Sequence, residues 1–291
     1  MVEKQITGIL NIDKPAGPTS HDVVHRVRQI TGIRRVGHAG TLDPLATGVL
    51  ILAAGRATRL LEYIVGQPKT YWAQLHLGQT TTTYDAEGEI ITDLPVTVSE
   101  AEFQAALPPF RGDITQIPPM YSAIKREGKP LYELARQGME VERPSRPVTI
   151  YTLELLHWSP PLVALRVSCS AGTYIRSLAH DVGAALGCGA YLAGLRRTAV
   201  GTLTADSAIN LESLTTENWT AHLLPPDSAV VHLPRLDVDA EMAGRLSKGQ
   251  RIPRTPDHPA ADLVRVYNPA GEFIGLVTTR ENQWQPRKMW R

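Results

Sequence analysis

The residues able to do chemistry fall in a few short stretches of this chain. In GHAGTLDPLATGVL, residues 37 to 50, Asp43 shares one loop with Gly37, Gly40 and Gly48. Glycines reach backbone conformations closed to other residues and let a ligand approach closely. Taken alone, Asp43 ahead of Pro44 reads first as the cap of an Asx turn. Tyr71 stands on the alternating stretch TYWAQLHLG, residues 70 to 78. Tyr174 and Arg176 open a predicted helix, at the end where anions are favoured. His21 and His25, in HDVVH, have the spacing of two imidazoles one helical turn apart.

Several chemistries are excluded by what those stretches lack. Zinc-binding H-E-x-x-H helices place a glutamate after the first histidine and recruit a third ligand. Here the second residue is Asp22, one methylene shorter, and the other histidines form no partner motif, so no metal site is expected. Neither G-x-x-x-x-G-K-[ST] nor G-x-G-x-x-G is present, so nucleotide-cofactor chemistry is disfavoured and no cofactor is expected. A glycosidase uses two carboxylates flanking the bond, and only Asp43 stands out. Paired with an arginine, a carboxylate is held ionised by the nearby opposite charge. It then serves as nucleophile or base and supplies no proton. A tyrosine ring on the same wall can stack on a flat base, a contact worth about 1–3 kcal/mol. That set suits chemistry on a nucleobase.

The elements that must position these residues follow from periodicity. GILNID (8 to 13) reads as a strand and KPAGP as a turn. TSHDVVHRVRQITG reads as a helix, N-capped by Thr19 or Ser20 and stopped by Gly32, with Val23, Val27 and Ile30 on one face. The glycine-rich loop feeds VLILAA, a continuous apolar run suited to a strand covered on both faces. Ser99 and Glu102 form a capping box before SEAEFQAAL, and Pro130 and Gly138 bracket LYELARQ. Residues 148 to 158 and 162 to 169 read as strands joined by Ser-Pro-Pro, and SAGTYIRSLAHDVGAALG as a turn entering a helix. This hairpin beside the neighbouring strands predicts an α+β fold on a mixed, mainly antiparallel sheet flanked by helices. Past residue 225 a small all-β module is expected, with the hairpin LVRVYNPAGEFIGLVTT.

Composition is that of a globular chain, 43% hydrophobic and 20% charged, with a formal net charge of +1. Bulk charge does not make it a nucleic-acid coat, but local excess makes faces. Residues 14 to 37 carry Lys14, Arg26, Arg28, Arg34 and Arg35 against Asp22. Residues 125 to 146 carry Lys125, Arg126, Lys129, Arg136, Arg143 and Arg146 against four glutamates. Cys169 and Cys188 are too few for a disulfide framework and read as small core residues. The N-terminus has too short an apolar stretch for a secretory signal, and no apolar run spans a bilayer, so a cytoplasmic protein is expected.

KPAGPTSHDVV, GHAGTLDPLATGVL, KTYWAQLHLG, PPMYSAIKREGKPLYELARQG, CSAGTYIRSLAHDVG and LRRTAVG occur in that order. Together they resemble the TruB family of bacterial tRNA pseudouridine-55 synthases, densely from residue 8 to about 210 and more loosely beyond. The resemblance implies a catalytic domain over 1–225, with an RNA-contacting, thumb-like insertion at about 120–147, and a PUA-like RNA-binding module over 226–291. It implies isomerisation of one uridine in the T-arm loop of tRNA after base flipping, with no redox change and no external energy; no membrane or protein partner is expected, and nothing in the chain demands more than a monomer. Asp43 would be the catalytic aspartate, attacking or deprotonating near the glycosidic carbon. Tyr71 would stack on the extruded uracil and help remove its C5 proton. Arg176 would pair with Asp43, Tyr174 would line the pocket and Leu195 would pack against the base. His38 would fill the place the base has left. Lys14, Arg34, Arg35, Lys125, Arg126 and Lys129 would contact RNA. Two other classes stay open: a tRNA-folding chaperone acting without catalysis, and a metallohydrolase built on HDVVH.

Overall fold

The computed structural model describes residues 6–122, 125–126, 128–139 and 141–290. Strand β1 (Gly8–Lys14) enters helix α1 (Ser20–Thr31) through a turn. Thr19 caps α1 by accepting from the Asp22 N–H while Asp22 accepts from the Thr19 N–H at 2.9 Å, and Gly32, at φ 70°, ends it. Next come β2 (Val36–His38), β3 (Thr47–Ala54), α2 (Leu61–Val65) and β4 (Lys69–Leu77). The hairpin β5 (Gln79–Thr81) and β6 (Ile90–Asp93) precedes α3 (Glu100–Ala106), which carries the expected Ser99–Glu102 capping box. Then follow β7 (Gly112–Gln116), the short β8 (Lys125–Arg126) and β9 (Lys129–Pro130), and α4 (Leu131–Arg136). The long hairpin of β10 (Arg146–Ser159) and β11 (Leu162–Cys169) leads to α5 (Ile175–Ala185), β12 (Ala190–Val200), β13 (Leu203–Thr204) and β14 (Ile209–Asn210).

The main sheet runs β14-β1-β3-β12-β4-β11-β10-β7, with β2 on β3 and β13 on β12. Only β1–β14 and β3–β12 are parallel; the other pairs are antiparallel, so the mixed α+β sheet is as expected. The remaining strands form β15 (Arg235–Asp237), β16 (Ile252–Pro253), β17 (Leu263–Tyr267), β18 (Phe273–Arg280) and β19 (Gln283–Met289), in the order β15-β17-β18-β19-β16. This region is not all-β. Helix α6 (Ala240–Ser247) starts at Asp239, whose carboxylate accepts the Met242 N–H at 2.7 Å, and it buries Leu246 over the sheet.

Strand β3 explains its own unbroken apolar sequence. Leu50, Leu52 and Ala54 pack with Val23, Val27, Leu178 and Val182 in one core. Val49, Ile51 and Ala53 face the other way, into a second core that reaches Val230 and Leu276. Because side chains alternate along a strand, one strand serves both layers. Polar ties reinforce the second core: Arg59 Nη1 donates to the Met289 carbonyl at 3.1 Å, and Lys288 Nζ lies 2.8 Å from Glu62 Oε1.

At the head of β3, Gly48 sits at φ 98° against β12. A Cβ there would lie 2.2 Å from the Arg197 carbonyl oxygen. Both the backbone region and the close approach require glycine. Gly48→Ala is expected to lower the free energy of unfolding in urea by about 2–4 kcal/mol, from overpacking and strained backbone together.

Candidate active site

The loop between β2 and β3 is held by its backbone. Arg197 on β12, 1% exposed, donates from Nε to the Val49 carbonyl at 2.7 Å, from Nη1 to Thr41 at 3.2 Å and from Nη2 to Gly40 at 3.2 Å. Lys14, fully buried at the end of β1, gives its ammonium to the carbonyls of Pro15, Pro44 and Ala46 at 2.8, 3.2 and 2.8 Å. Three carbonyls match the three donors of the ammonium. Burial pulls the Lys14 amine down to about 8, with Asp43 pulling the other way. The Ser20 hydroxyl, at the first turn of α1, donates to the Leu42 carbonyl at 3.0 Å and accepts its N–H at 2.8 Å. Each hydrogen bond from the Lys14 and Arg197 cations contributes about 1.5–3 kcal/mol.

What the loop presents is Asp43. Its carboxylate does not cap an Asx turn: Oδ2 lies 2.9 Å from Arg176 Nη2, and the turn is closed instead by the Ala46 N–H on the Asp43 carbonyl at 3.1 Å. Arg176, in the first turn of α5, also meets Asp85 Oδ2 through Nη1 at 3.2 Å and donates to the Tyr121 carbonyl at 2.8 Å. One guanidinium thus spans two carboxylates. Asp85, 2% exposed, is itself held by the Glu87 N–H at 3.1 Å and by the Thr83 hydroxyl, both on Oδ1.

The balance of these influences corrects one expectation. Arg176 does draw the Asp43 carboxyl towards ionisation, and Lys14 helps, but burial is the larger influence and Asp85 adds repulsion. Although 36% of the Asp43 side chain is exposed, its carboxyl stands above the ordinary aspartate value of 3.8 rather than below it.

Tyr71 lies on the buried face of β4, opposite Arg197 of β12 and Val167 of β11. Burial pushes the phenol up against the opposite pull of the nearby Arg197 guanidinium, so it is neutral near pH 7. Leu195, two residues before Arg197, is half-buried against the first core, in register with Ala73. Tyr174 is the residue preceding α5; the buried Gln116 accepts its N–H at 3.0 Å and donates to its carbonyl at 3.3 Å. His38 ends β2, half-buried, and burial lowers its imidazole below the ordinary value.

Comparison with known proteins bears directly on this arrangement. The profile of the TruB family pseudouridylate synthase N-terminal domain matches residues 28–175, which contain Asp43, Tyr71 and Asp85. Those of the tRNA pseudouridylate synthase B C-terminal domain and the tRNA pseudouridine synthase II C-terminal region match 176–231 and 233–288. The chain belongs to the TruB family. It is 44% identical over 298 residues to tRNA pseudouridine synthase B of Pseudomonas aeruginosa (strain UCBPP-PA14), covering 100% of this chain and 98% of that one. To tRNA pseudouridine synthase B of Ralstonia nicotianae (strain ATCC BAA-1114 / GMI1000) it is 47% identical over 297 residues, covering 98% and 95%. A solved structure of an H/ACA RNP bound to a substrate RNA containing 2'-deoxyuridine is similar, with TM-score 0.75 and 26% identity over 98% of this chain and 85% of that one. A Cbf5-Nop10-Gar1 complex is similar at TM-score 0.74 and 29% identity, over 97% and 84%. The TruB-family chain is a pseudouridine synthase, forming pseudouridine in RNA.

Not every residue singled out in the sequence falls at this site. Lys14 is no RNA contact: it lies wholly beneath the Asp43 loop and ties it down. Arg34 and Arg35 are exposed, with Arg35 Nε donating to the Thr58 hydroxyl at 2.6 Å. The side chains of Lys125, Arg126 and Lys129 lie outside the described residues. His21 and His25 are exposed on α1, and among the described residues no group of three or more His, Cys, Asp or Glu could hold a metal. No helix among them is long and apolar enough to cross a membrane. Asp85 and Arg197 were missed. The only available signal was the pairing of a second aspartate with the same arginine, which needs the fold to be seen.

Two outcomes follow. A reaction that requires Asp43 ionised is expected to slow on acidification through a pH above 3.8, the ordinary aspartate value, because the carboxyl is raised; a single-turnover rate–pH profile measures this. Lys14→Met is expected to lower the rate by at least about tenfold by freeing the loop, while the salt dependence of RNA binding stays as in the wild type.

Proposed function

We propose that this TruB-family enzyme converts the uridine at position 55 of the T-arm loop of tRNA to pseudouridine, with Asp43 as the catalytic residue. The observation that carries this reading is the Asp43–Arg176 pair at 2.9 Å, standing on a loop whose carbonyls are held by Lys14 and Arg197. A carboxylate so placed meets the sugar–base junction of a flipped nucleotide, as attacking group or as base. The bond from N1 to the sugar carbon breaks, the uracil turns, C5 bonds to the sugar carbon with release of any bond Asp43 has made, the C5 proton leaves to water, and N1 takes up a proton from water in its place. Atoms are conserved and no oxidant or external energy is used.

In this reading Tyr71 stacks its neutral ring on the uracil, Leu195 and Tyr174 complete the wall, and His38 takes the place vacated in the loop. Extruding the nucleotide costs a few kcal/mol, offset by phosphate contacts from Arg34 and Arg35 and from the insertion at about 120–147. Residues 1–225 form the catalytic domain and 226–291 a PUA-like RNA-binding module. The enzyme works as a cytoplasmic monomer. Support comes from the full-length likeness to chains named tRNA pseudouridine synthase B.

The test is tritium released to water from an unmodified tRNA transcript labelled at C5 of uridine. Wild type is expected to release label in step with pseudouridine formation. Asp43→Asn should bind tRNA with unchanged affinity and lose turnover by at least about a thousandfold; retention of about a tenth of wild-type turnover would remove Asp43 from the mechanism. Binding should weaken steeply with salt, and Arg34→Ala or Arg35→Ala should each reduce the slope of log affinity against log salt by about one.

A further inference from the structure

Helix α5 sends a second side chain to the loop that carries Asp85. His180 lies four residues after Arg176, on the same face of the helix. Its imidazole stacks on the Tyr84 ring with centroids 4.0 Å apart and planes 15° from parallel. Tyr84 immediately precedes Asp85 and has φ 64°, a left-handed conformation uncommon for a residue with a bulky side chain. The loop around it is clipped to β12: the Leu192 N–H donates to the Tyr84 carbonyl at 3.0 Å, and the Ala86 N–H to the Leu192 carbonyl at 3.1 Å. The reversal at Tyr84 therefore sits between two fixed points and turns the Asp85 carboxylate inward, where Oδ2 meets Arg176.

His180 uses its face there and not its polar edge. Its Nδ1 is buried with no hydrogen-bond partner among the described residues. Burial also lowers the imidazole below its ordinary value, against a smaller opposite pull from Asp181, so the ring is neutral at pH 7. A neutral flat ring on a phenol ring holds it by stacking, and a backbone in a sparsely populated region persists only where its surroundings fix it.

We propose that His180 is a positioning residue of this enzyme: its ring clamps Tyr84 in the left-handed turn that presents Asp85 to Arg176, and so fixes the guanidinium that faces Asp43. The proposal rests on Asp43 as the catalytic group. One helix then supplies both the cation of the site and the clamp on that cation's second anion.

The experiment measures kcat and KM by tritium release, with folding followed by circular dichroism, for wild type, His180→Ala and His180→Phe. His180→Ala is expected to lower kcat by about tenfold with KM within about twofold, and His180→Phe, which keeps a flat ring and no imidazole, to recover most of the loss. An alanine variant as fast as wild type, or a phenylalanine variant as slow as alanine, overturns the proposal. If His180→Ala does not fold, Tyr84→Gly and Tyr84→Ala decide. Glycine takes φ 64° without strain, so it should keep several-fold more activity than alanine; equal rates overturn the clamp. Asp43→Asn run alongside separates the two readings. Turnover by that variant refutes the catalytic assignment alone, since the ring comparison is made at an intact Asp43.

Discussion

Two cations buried beneath a loop govern the active site. Lys14 and Arg197 are removed from water, and a desolvated charge is tolerated only where acceptors surround it. The nearest acceptors are the main-chain carbonyls of residues 40 to 49, and the cations collect them: Gly40, Thr41, Pro44, Ala46 and Val49. The need of the cations for oxygen and the need of the loop for donors are met by the same contacts. Asp43 inherits the result as a fixed position without any side-chain bond of its own to the scaffold below. The glycines belong to the same constraint, because at Gly48 the backbone of β12 comes too close for any side chain.

Above that floor, charge is arranged for partial compensation. One guanidinium between Asp43 and Asp85 leaves the local sum negative, and burial disfavours every unpaired charge. The carboxyl proposed as the catalytic group is therefore not stabilised as far as a simple ion pair would bring it. A less stabilised carboxylate is a stronger nucleophile and a stronger base, so the crowding of two acids around Arg176 serves reactivity at some expense of ionisation at low pH. Lys14 tempers this from below, as its effect on Asp43 is favourable.

Much of this was legible in the residues, and what was not has physical reasons. The α1 cap, the β10–β11 hairpin and the two-sided burial of β3 followed from local rules of capping, alternation and apolar continuity. The loop and the Asp43–Arg176 pair were readable through the resemblance of long strings. Lys14 was misread because a lysine among arginines looks like a solvated face; only the closing of β3 over β1 shows that its ammonium points inward to carbonyls. Asp85 was invisible because TTTYDAEGE has the composition of an ordinary turn, and its pairing across 91 positions of chain is set by tertiary structure. Helix α6 is hard to read for a different reason: its capped apolar stripe, Asp239, Met242 and Leu246, is short and set between Pro-rich flanks.

The alternation along β3 has one more consequence. Its odd-numbered residues share a core with Leu276 of β18, so the C-terminal sheet is mortared to the back of the main sheet instead of hanging from it by a tether. A chain cut near residue 225 would bare Val49, Ile51 and their neighbours to solvent and invite aggregation. The module cannot be shuffled between proteins like a bead on a string. Any exchange of it must carry along a matching apolar footprint.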